Sequence, residues 1–230
     1  MPAAPALPIG AHAVLFDAYG TLFDIHSAVA RHAATVGPDA ARLSDLWRAK
    51  QLEYSWVLSL SGRYESFWDL TQKALDFALA RCPSVHPAVK RRLLQAYRVL
   101  DAYPEVTDVL ATLRERGLRS AILSNGDPGM LAEAVQSARI DGLIDAVVSA
   151  ESAGVFKTSP QVYQLAVAAL GLDASAIVFV SGNRWDVAGA VAFGLPSIWV
   201  NRSGLPDEYA GLPPAATLRD LSGLTAVPGP

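Results

Sequence analysis

One cysteine, Cys82, is all the thiol chemistry that this chain of 230 residues contains. An internal disulfide is therefore excluded, as is a thiolate metal cluster built within one chain, and a reducing cytoplasm is the expected home. Surplus positive charge is also missing. The formal net charge is -3 at pH 7, with no basic stripe of the kind that holds nucleic acid, so a polyanionic partner is not expected. Nor is there a run of about 18 uninterrupted apolar residues, the length that spans a membrane. The opening MPAAPALPIGAH has no basic segment followed by an apolar core, so a secretory leader is not expected either. No internal repeat is visible. What the chain does have is 51% hydrophobic residues, enough to bury a full core as one large α/β domain or as a domain with a smaller companion.

The stretch AVLFDAYGTLFD, residues 13–24, organises the rest. Val14, Leu15 and Phe16 form a short apolar run suited to a strand buried on both faces, and Asp17 falls where the run stops. Gly20 permits a tight turn, and Thr21 offers a hydroxyl within reach of the carboxylate. Ligands bind at the carboxyl ends of strands in open parallel sheets, which puts Asp17 where chemistry is expected. Taken alone, Asp-x-x-Gly-Thr fits a capped turn equally well.

Residues 24–100 change character. LSDLWRAKQLEYSWVLSL, YESFWDLTQKALDFALA and HPAVKRRLLQAYRVL repeat apolar residues every three or four positions, which predicts consecutive amphipathic helices and no strand. Turn signals at Ser61-Gly62 and Cys82-Pro83-Ser84 separate them. From Asp101 the pattern alternates instead. The predicted helices VTDVLATLRERG, PGMLAEAVQSA, SPQVYQLAVAALG and WDVAGAVAFG interleave with the predicted strands LRSAILSNG, DAVVSAE, AIVFVSGN and PSIWVN. Such alternation implies a doubly wound, Rossmann-like α/β fold with a parallel sheet covered on both faces. The expected organisation is an α/β core of residues 1–23 and 101–230, with an all-helical cap of residues 24–100 spliced in after the first strand. Residues 1–9 and roughly 206–230 read as surface tails.

Polar residues gather at the ends of the apolar strands. Asp17 and Thr21 follow the first, Ser124 and Asn125 the second, Lys157 the third after a loop, and Ser181, Asn183 and Asp186 follow IVFV. A right-handed parallel sheet brings all these ends to one edge. Independent turn caps explain each residue separately; a shared site explains them together.

This set resembles the haloacid dehalogenase superfamily and, within it, the (S)-2-haloacid dehalogenase (type II) branch. DAYGTLFD, LWRAKQLEYSW, LSNG, Lys157 with Tyr163, and SGNRWD stand in that family's order and approximate spacing, spanning nearly the whole chain. Two features point to the branch. Superfamily phosphatases carry a second acid two residues after the nucleophile to protonate an alcohol leaving group; here that position is Tyr19, and a departing halide needs no proton. The segment that holds magnesium in the phosphatases is Ser181-Gly182-Asn183-Arg184-Trp185-Asp186, with one carboxylate, so no metal and no other cofactor is expected.

The resemblance implies a role for each residue. Asp17 is the nucleophile, forming an ester on carbon that water then opens, and Lys157 keeps it ionised. Asp186 activates or orients the water, with Ser181 and Asn183 helping to hold it. Thr21, Ser124 and Asn125 secure the substrate carboxylate and the Asp17 side chain, while Arg48 receives the halide. Tyr19, Leu52, Phe67 and Trp185 form an apolar wall, and Tyr163 hydrogen-bonds near the lysine. The implied partners are a small halogenated carboxylic acid and water, with a homodimer as the common assembly. Ala49, Thr158 and Gly182 depart from frequent family residues and put substrate range in question. The competing readings are a magnesium-dependent phosphatase, a hydrolase of another carbon substrate such as a strained cyclic amino acid, and a binding module without turnover.

Overall fold

The computed structural model describes residues 10–225 together with residue 7. In chain order, β1 (Ala13–Phe16) is followed by α1 (Ser27–Ala30), α2 (Ala33–Val36), α3 (Ala40–Leu60), α4 (Phe67–Arg81) and α5 (Lys90–Arg98). The alternating part then runs α6 (Val106–Glu115), β2 (Arg119–Ser124), α7 (Pro128–Ser137), β3 (Ala146–Ser149), α8 (Pro160–Leu170), β4 (Ile177–Ser181), α9 (Arg184–Phe193), β5 (Ser197–Val200) and β6 (Ala216–Leu218). The strands form one parallel sheet in the order β3-β2-β1-β4-β5-β6, with helices on both sides.

β1 sits in the middle because its sequence tolerates nothing else: Ala13, Val14, Leu15 and Phe16 are all fully buried, so both faces and both edges need cover. Phe16 pairs with Ile122 on one side and Val180 on the other. This register carries the strand ends of β1, β2 and β4 to the same edge. The strand order reverses at β1, since the chain steps outward to β2 on one side and later to β4 on the other, which makes the crevice at Asp17 the switch point where such sheets bind ligands.

The stretch expected to be a C-terminal tail is corrected by the structure. Residues 216–218 add β6 to the sheet, pairing Ala216 with Ile198 and Leu218 with Val200. Buried Leu218, Leu221 and Leu224 pin it there. A three-residue strand gives too short a period to be read from sequence, and only the open edge of β5 makes it a strand. The tail expectation for residues 1–6, 8, 9 and 226–230 falls outside the described residues.

Between β1 and α6 the described chain is helical. Along α3, Leu43, Trp47, Gln51 and Ser55 recur every fourth residue on the buried side. Two of these are polar, and both are satisfied: Gln51 donates to Thr71 Oγ1 at 3.0 Å and accepts from the Tyr97 hydroxyl at 3.2 Å, while Ser55 donates to the Leu52 carbonyl. The two connections to the sheet run side by side, the Asp24 amide donating to the Asp101 carbonyl and the Tyr103 amide to the Leu22 carbonyl.

Candidate active site

Asp17 leaves the end of β1 and is 5% exposed. Its Oδ2 accepts from Thr21 Oγ1 at 2.8 Å, Asn183 Nδ2 at 2.7 Å and Ser181 Oγ at 3.1 Å. Oδ1 accepts from Lys157 Nζ at 3.0 Å. Burial pushes this carboxyl pKa up, but the Lys157 ammonium, the Thr21 hydroxyl and Arg48 together outweigh it and leave the value below the ordinary one. The turn geometry behind this is local: Gly20 takes a φ of 88°, which returns Thr21 toward the carboxylate three residues before the bend. Gly182 is a close-approach position, since a Cβ there would lie 2.2 Å from the Gly20 carbonyl oxygen. That contact lets the loops after β1 and β4 meet, and the Gly182 amide donates to Thr21 Oγ1 at 2.8 Å.

Lys157 lies between two acids, its second contact being Asp186 Oδ2 at 2.7 Å. Burial lowers the ammonium pKa, and the two carboxylates more than reverse this, so it stays charged. Asp186, on the first turn of α9, is fully buried and its other oxygen accepts from the Tyr163 hydroxyl at 2.7 Å. Here burial wins over the attraction of Lys157, and the carboxyl pKa is raised to about 6. One ammonium thus serves two carboxylates with opposite results: Asp17 has the Thr21 hydroxyl and Arg48 on its side as well, while Asp186 faces the Asp17 charge, which adds to its burial and outweighs Lys157 and the Tyr163 hydroxyl.

The helical insertion closes over this floor. Arg48 on α3 reaches the Tyr19 carbonyl at 3.4 Å and Asn183 Oδ1 at 3.5 Å, both long, and its buried Nε has no partner among the described residues. Tyr19 stacks on Phe67 and Tyr97, with ring centroids 6.2 and 5.7 Å apart. Its packing also depends on Gly126, where a Cβ would stand 2.7 Å from the Tyr19 ring. Asp17, Tyr19, Arg48, Leu52, Phe67, Ser124, Asn125, Lys157 and Trp185 enclose a small void of about 10 Å³, on the order of one water. A larger apolar groove of about 660 Å³ lies outside it and shares Lys157 and Trp185. Asp17 and Arg48 line the small void and not the groove.

All the residues singled out from the sequence therefore meet at one edge, but some contacts differ from expectation. The Ser181 and Asn183 side chains bond Asp17, because they stand at the strand end, while Asp186, on the first turn of α9, is turned toward Lys157 and Tyr163. Of Thr21, Ser124 and Asn125, Thr21 alone bonds Asp17. The Ser124 hydroxyl accepts from the Gly126 amide, and Asn125 Oδ1 accepts from the Lys157 amide at 2.9 Å. Sequence pattern does not single out Asp127, whose carboxylate accepts from the Phe67 and Trp68 amides at 2.9 and 3.0 Å. This ties the loop after β2 to the N-terminus of α4. The Asp-Pro pair marks a helix start in the sequence, but the tie to a second helix 60 residues away leaves no such mark.

No cluster of three or more His, Cys, Asp or Glu side chains suited to a metal stands among the described residues. The place between Asp17 and Asp186 is filled by the Lys157 ammonium.

Comparison with known proteins adds to the geometry. Residues 11–194 match the family model for haloacid dehalogenase-like hydrolases. The chain is 44% identical to (S)-2-haloacid dehalogenase 1 of Pseudomonas sp. (strain CBS-3) over 92% of this chain and 94% of that protein. It is 43% identical to (S)-2-haloacid dehalogenase 4A of Burkholderia cepacia over 92% of each. Among solved structures, the L-2-haloacid dehalogenase of Xanthobacter autotrophicus with chloropropionic acid covalently bound superposes with a TM-score of 0.84 at 34% identity, covering 93% of this chain and 96% of that one. With strand order, site geometry and sequence in agreement, the chain belongs to the haloacid dehalogenase-like hydrolases, in their (S)-2-haloacid dehalogenase branch.

Proposed function

We propose that the protein hydrolyses the carbon-halogen bond of short (S)-2-haloalkanoic acids to give (R)-2-hydroxy acids, through an ester on Asp17 and without a metal. The observation that carries the reading is the asymmetry of the Asp17 carboxylate, in a chain similar to (S)-2-haloacid dehalogenases along nearly its full length. Three donors fix Oδ2, while Oδ1 has Lys157 alone and keeps a lone pair for attack. Oδ1 displaces the halide from C2 from the opposite side, inverting that carbon, and the halide leaves toward the underemployed Arg48. Water then adds to the acyl carbon of Asp17, giving up a proton to Asp186. The bond from that carbon to the ester oxygen breaks, and the departing oxygen takes the proton back from Asp186. The hydroxy acid leaves with the original Asp17 oxygen, and the carboxylic acid left on Asp17 loses its proton to solvent. The new Asp17 oxygen is that of the water. Lys157 holds the attacking carboxylate ionised throughout, and exclusion of bulk water leaves it poorly shielded.

The helical insertion acts as a cap domain of residues 24–100 on a core of residues 1–23 and 101–230; the paired backbone at Leu22–Asp24 and Asp101–Tyr103 supports that boundary. Its exposed apolar residues Trp56, Val57 and Leu60 supply a face for a homodimer, which sizing in solution tests. No helix among the described residues is long and apolar enough to cross a membrane; the lone cysteine supports a cytoplasmic location.

Halide release from (S)-2-chloropropionate and from monohaloacetate, with and without a chelator, tests the activity. Release unaffected by chelator is expected. A folded protein that releases no halide from a panel of such acids overturns the reading, and magnesium-stimulated phosphate release would favour the phosphatase. A single turnover in heavy-oxygen water should label the Asp17 side chain.

A further inference from the structure

Tyr163 and Asp186 belong to neighbouring helices, α8 and α9, and their contact depends on a third position. The Tyr163 hydroxyl donates to Asp186 Oδ1 at 2.7 Å and stands 3.2 Å from the Asp186 carbonyl oxygen, so it lies directly against α9. The next residue on that face of the helix, three positions on, is Gly189. A Cβ at Gly189 would lie 2.5 Å from the Tyr163 hydroxyl oxygen and 2.7 Å from Cβ and Cγ2 of Thr158. Both distances are shorter than non-bonded carbon atoms tolerate. Gly189 has no left-handed φ, so its backbone does not require glycine, and a glycine inside a helix weakens it relative to alanine. The missing side chain therefore serves the approach of its neighbours.

We propose that Gly189 is a positioning residue: by leaving its Cβ out, it seats the Tyr163 hydroxyl on Asp186 and so sets the orientation in which Asp186 meets Lys157. The second neighbour, Thr158, directly follows Lys157 in the chain, so the same vacated space accommodates both sides of the contact. The inference rests on the reading above that Asp186 serves the hydrolytic water. Lys157, Asp17 and Tyr163 are the titratable groups that act on Asp186. Burial raises its pKa, and the hydrogen bond from the Tyr163 hydroxyl works against burial, so losing that bond moves the titration upward.

The test compares Gly189→Ala, Tyr163→Phe and the double variant with the wild-type protein. It reads halide-release kcat and KM on (S)-2-chloropropionate, the pH profile of kcat, and the Asp186 carboxyl titration by carbon-13 NMR. Gly189→Ala should lower kcat by about tenfold, the scale on which supporting contacts to reacting groups act, while KM stays within about twofold. It should also move the Asp186 titration and the acid limb of kcat to higher pH, in the direction of Tyr163→Phe. In the double variant the added Cβ still meets Thr158, so kcat is not the deciding readout there; its Asp186 titration should match that of Tyr163→Phe alone, since no hydroxyl remains to be displaced. A Gly189→Ala protein with wild-type kcat and titration overturns the proposal, as does a double variant whose Asp186 titration is displaced by the sum of the two single shifts. If Gly189→Ala does not fold, a folded double variant with the Tyr163→Phe titration supports the proposal, and a double that also fails to fold overturns it. Should the wild type release no halide, the dehalogenase reading falls by itself, and the NMR titrations still decide the role of Gly189.

Discussion

Asp17, on the sheet side of the cavity, accepts four side-chain hydrogen bonds between 2.7 and 3.1 Å. Arg48, facing it from α3, reaches its two acceptors only at 3.4 and 3.5 Å and has a buried nitrogen without a partner among the described residues. A buried donor without a partner costs stability unless something comes to meet it. The sheet wall is thus fully bonded as it stands, while the helical wall holds a cation with bonding capacity to spare, as the proposed release of a halide toward Arg48 requires. Charge placed where it will be needed, with no reorganisation, is the physical basis of strong electrostatic catalysis.

The sharpest way to break this comparison is on the sheet side. Asp17→Asn keeps the shape but removes the nucleophile, and halide release should fall by on the order of 10⁴-fold or more with the circular dichroism spectrum unchanged. Full activity in that variant would take Asp17 out of the mechanism. Lys157→Met follows. It leaves two buried carboxylates without their shared cation, so stability should drop by roughly 3 to 5 kcal/mol in denaturant titration and activity by about 10³-fold. An unchanged midpoint would mean that the sheet wall is not held together by that ammonium.

Substitution on the helical side should separate activity from stability. Arg48→Gln is expected to lower kcat/KM by about 10²-fold, while the unfolding free energy moves by less than about 1 kcal/mol, because its present contacts are long. Equal damage to both would erase the distinction between the walls. The smallest effect is the pH response. With Asp186 raised to about 6, kcat should fall on the acid side of that value, approaching tenfold per pH unit. Stability runs differently for the two acids. Asp17, depressed below its unfolded value, stabilises the fold above the unfolded pKa and loses this contribution only as pH falls through the depressed one. Asp186, raised, destabilises the fold when ionised, and protonation near pH 6 relieves this. Activity should therefore decline before the fold does, which thermal melts and rate assays across the same buffers would show.

Much of this was legible beforehand. The buried run Val14 to Phe16, the switch from helical to alternating pattern near Asp101, and polar residues at strand ends all place the site without coordinates. The short strand at residues 216–218 was not legible, because its identity depends on a neighbour's open edge. Partner choice was equally hidden. Ser181 and Asn183 are named by their motif, but whether they hold Asp17 or Asp186 depends on where β4 ends and α9 begins to turn.

The order of residue types along the chain determined which chemistry is available here: a carboxylate after a buried strand, a lysine, a second acid and an arginine on an amphipathic helix. Hydrophobic period and turn chemistry are local properties, and a single chain carries them openly. Only the tertiary structure decided that one ammonium lies between two acids and drives neither to the same state. Only it decided that four glycines, Gly126, Gly182, Gly189 and Gly223, stand where a Cβ would collide. Such contacts join residues far apart in sequence, and their strength is set by burial and distance, which come into being when the chain packs.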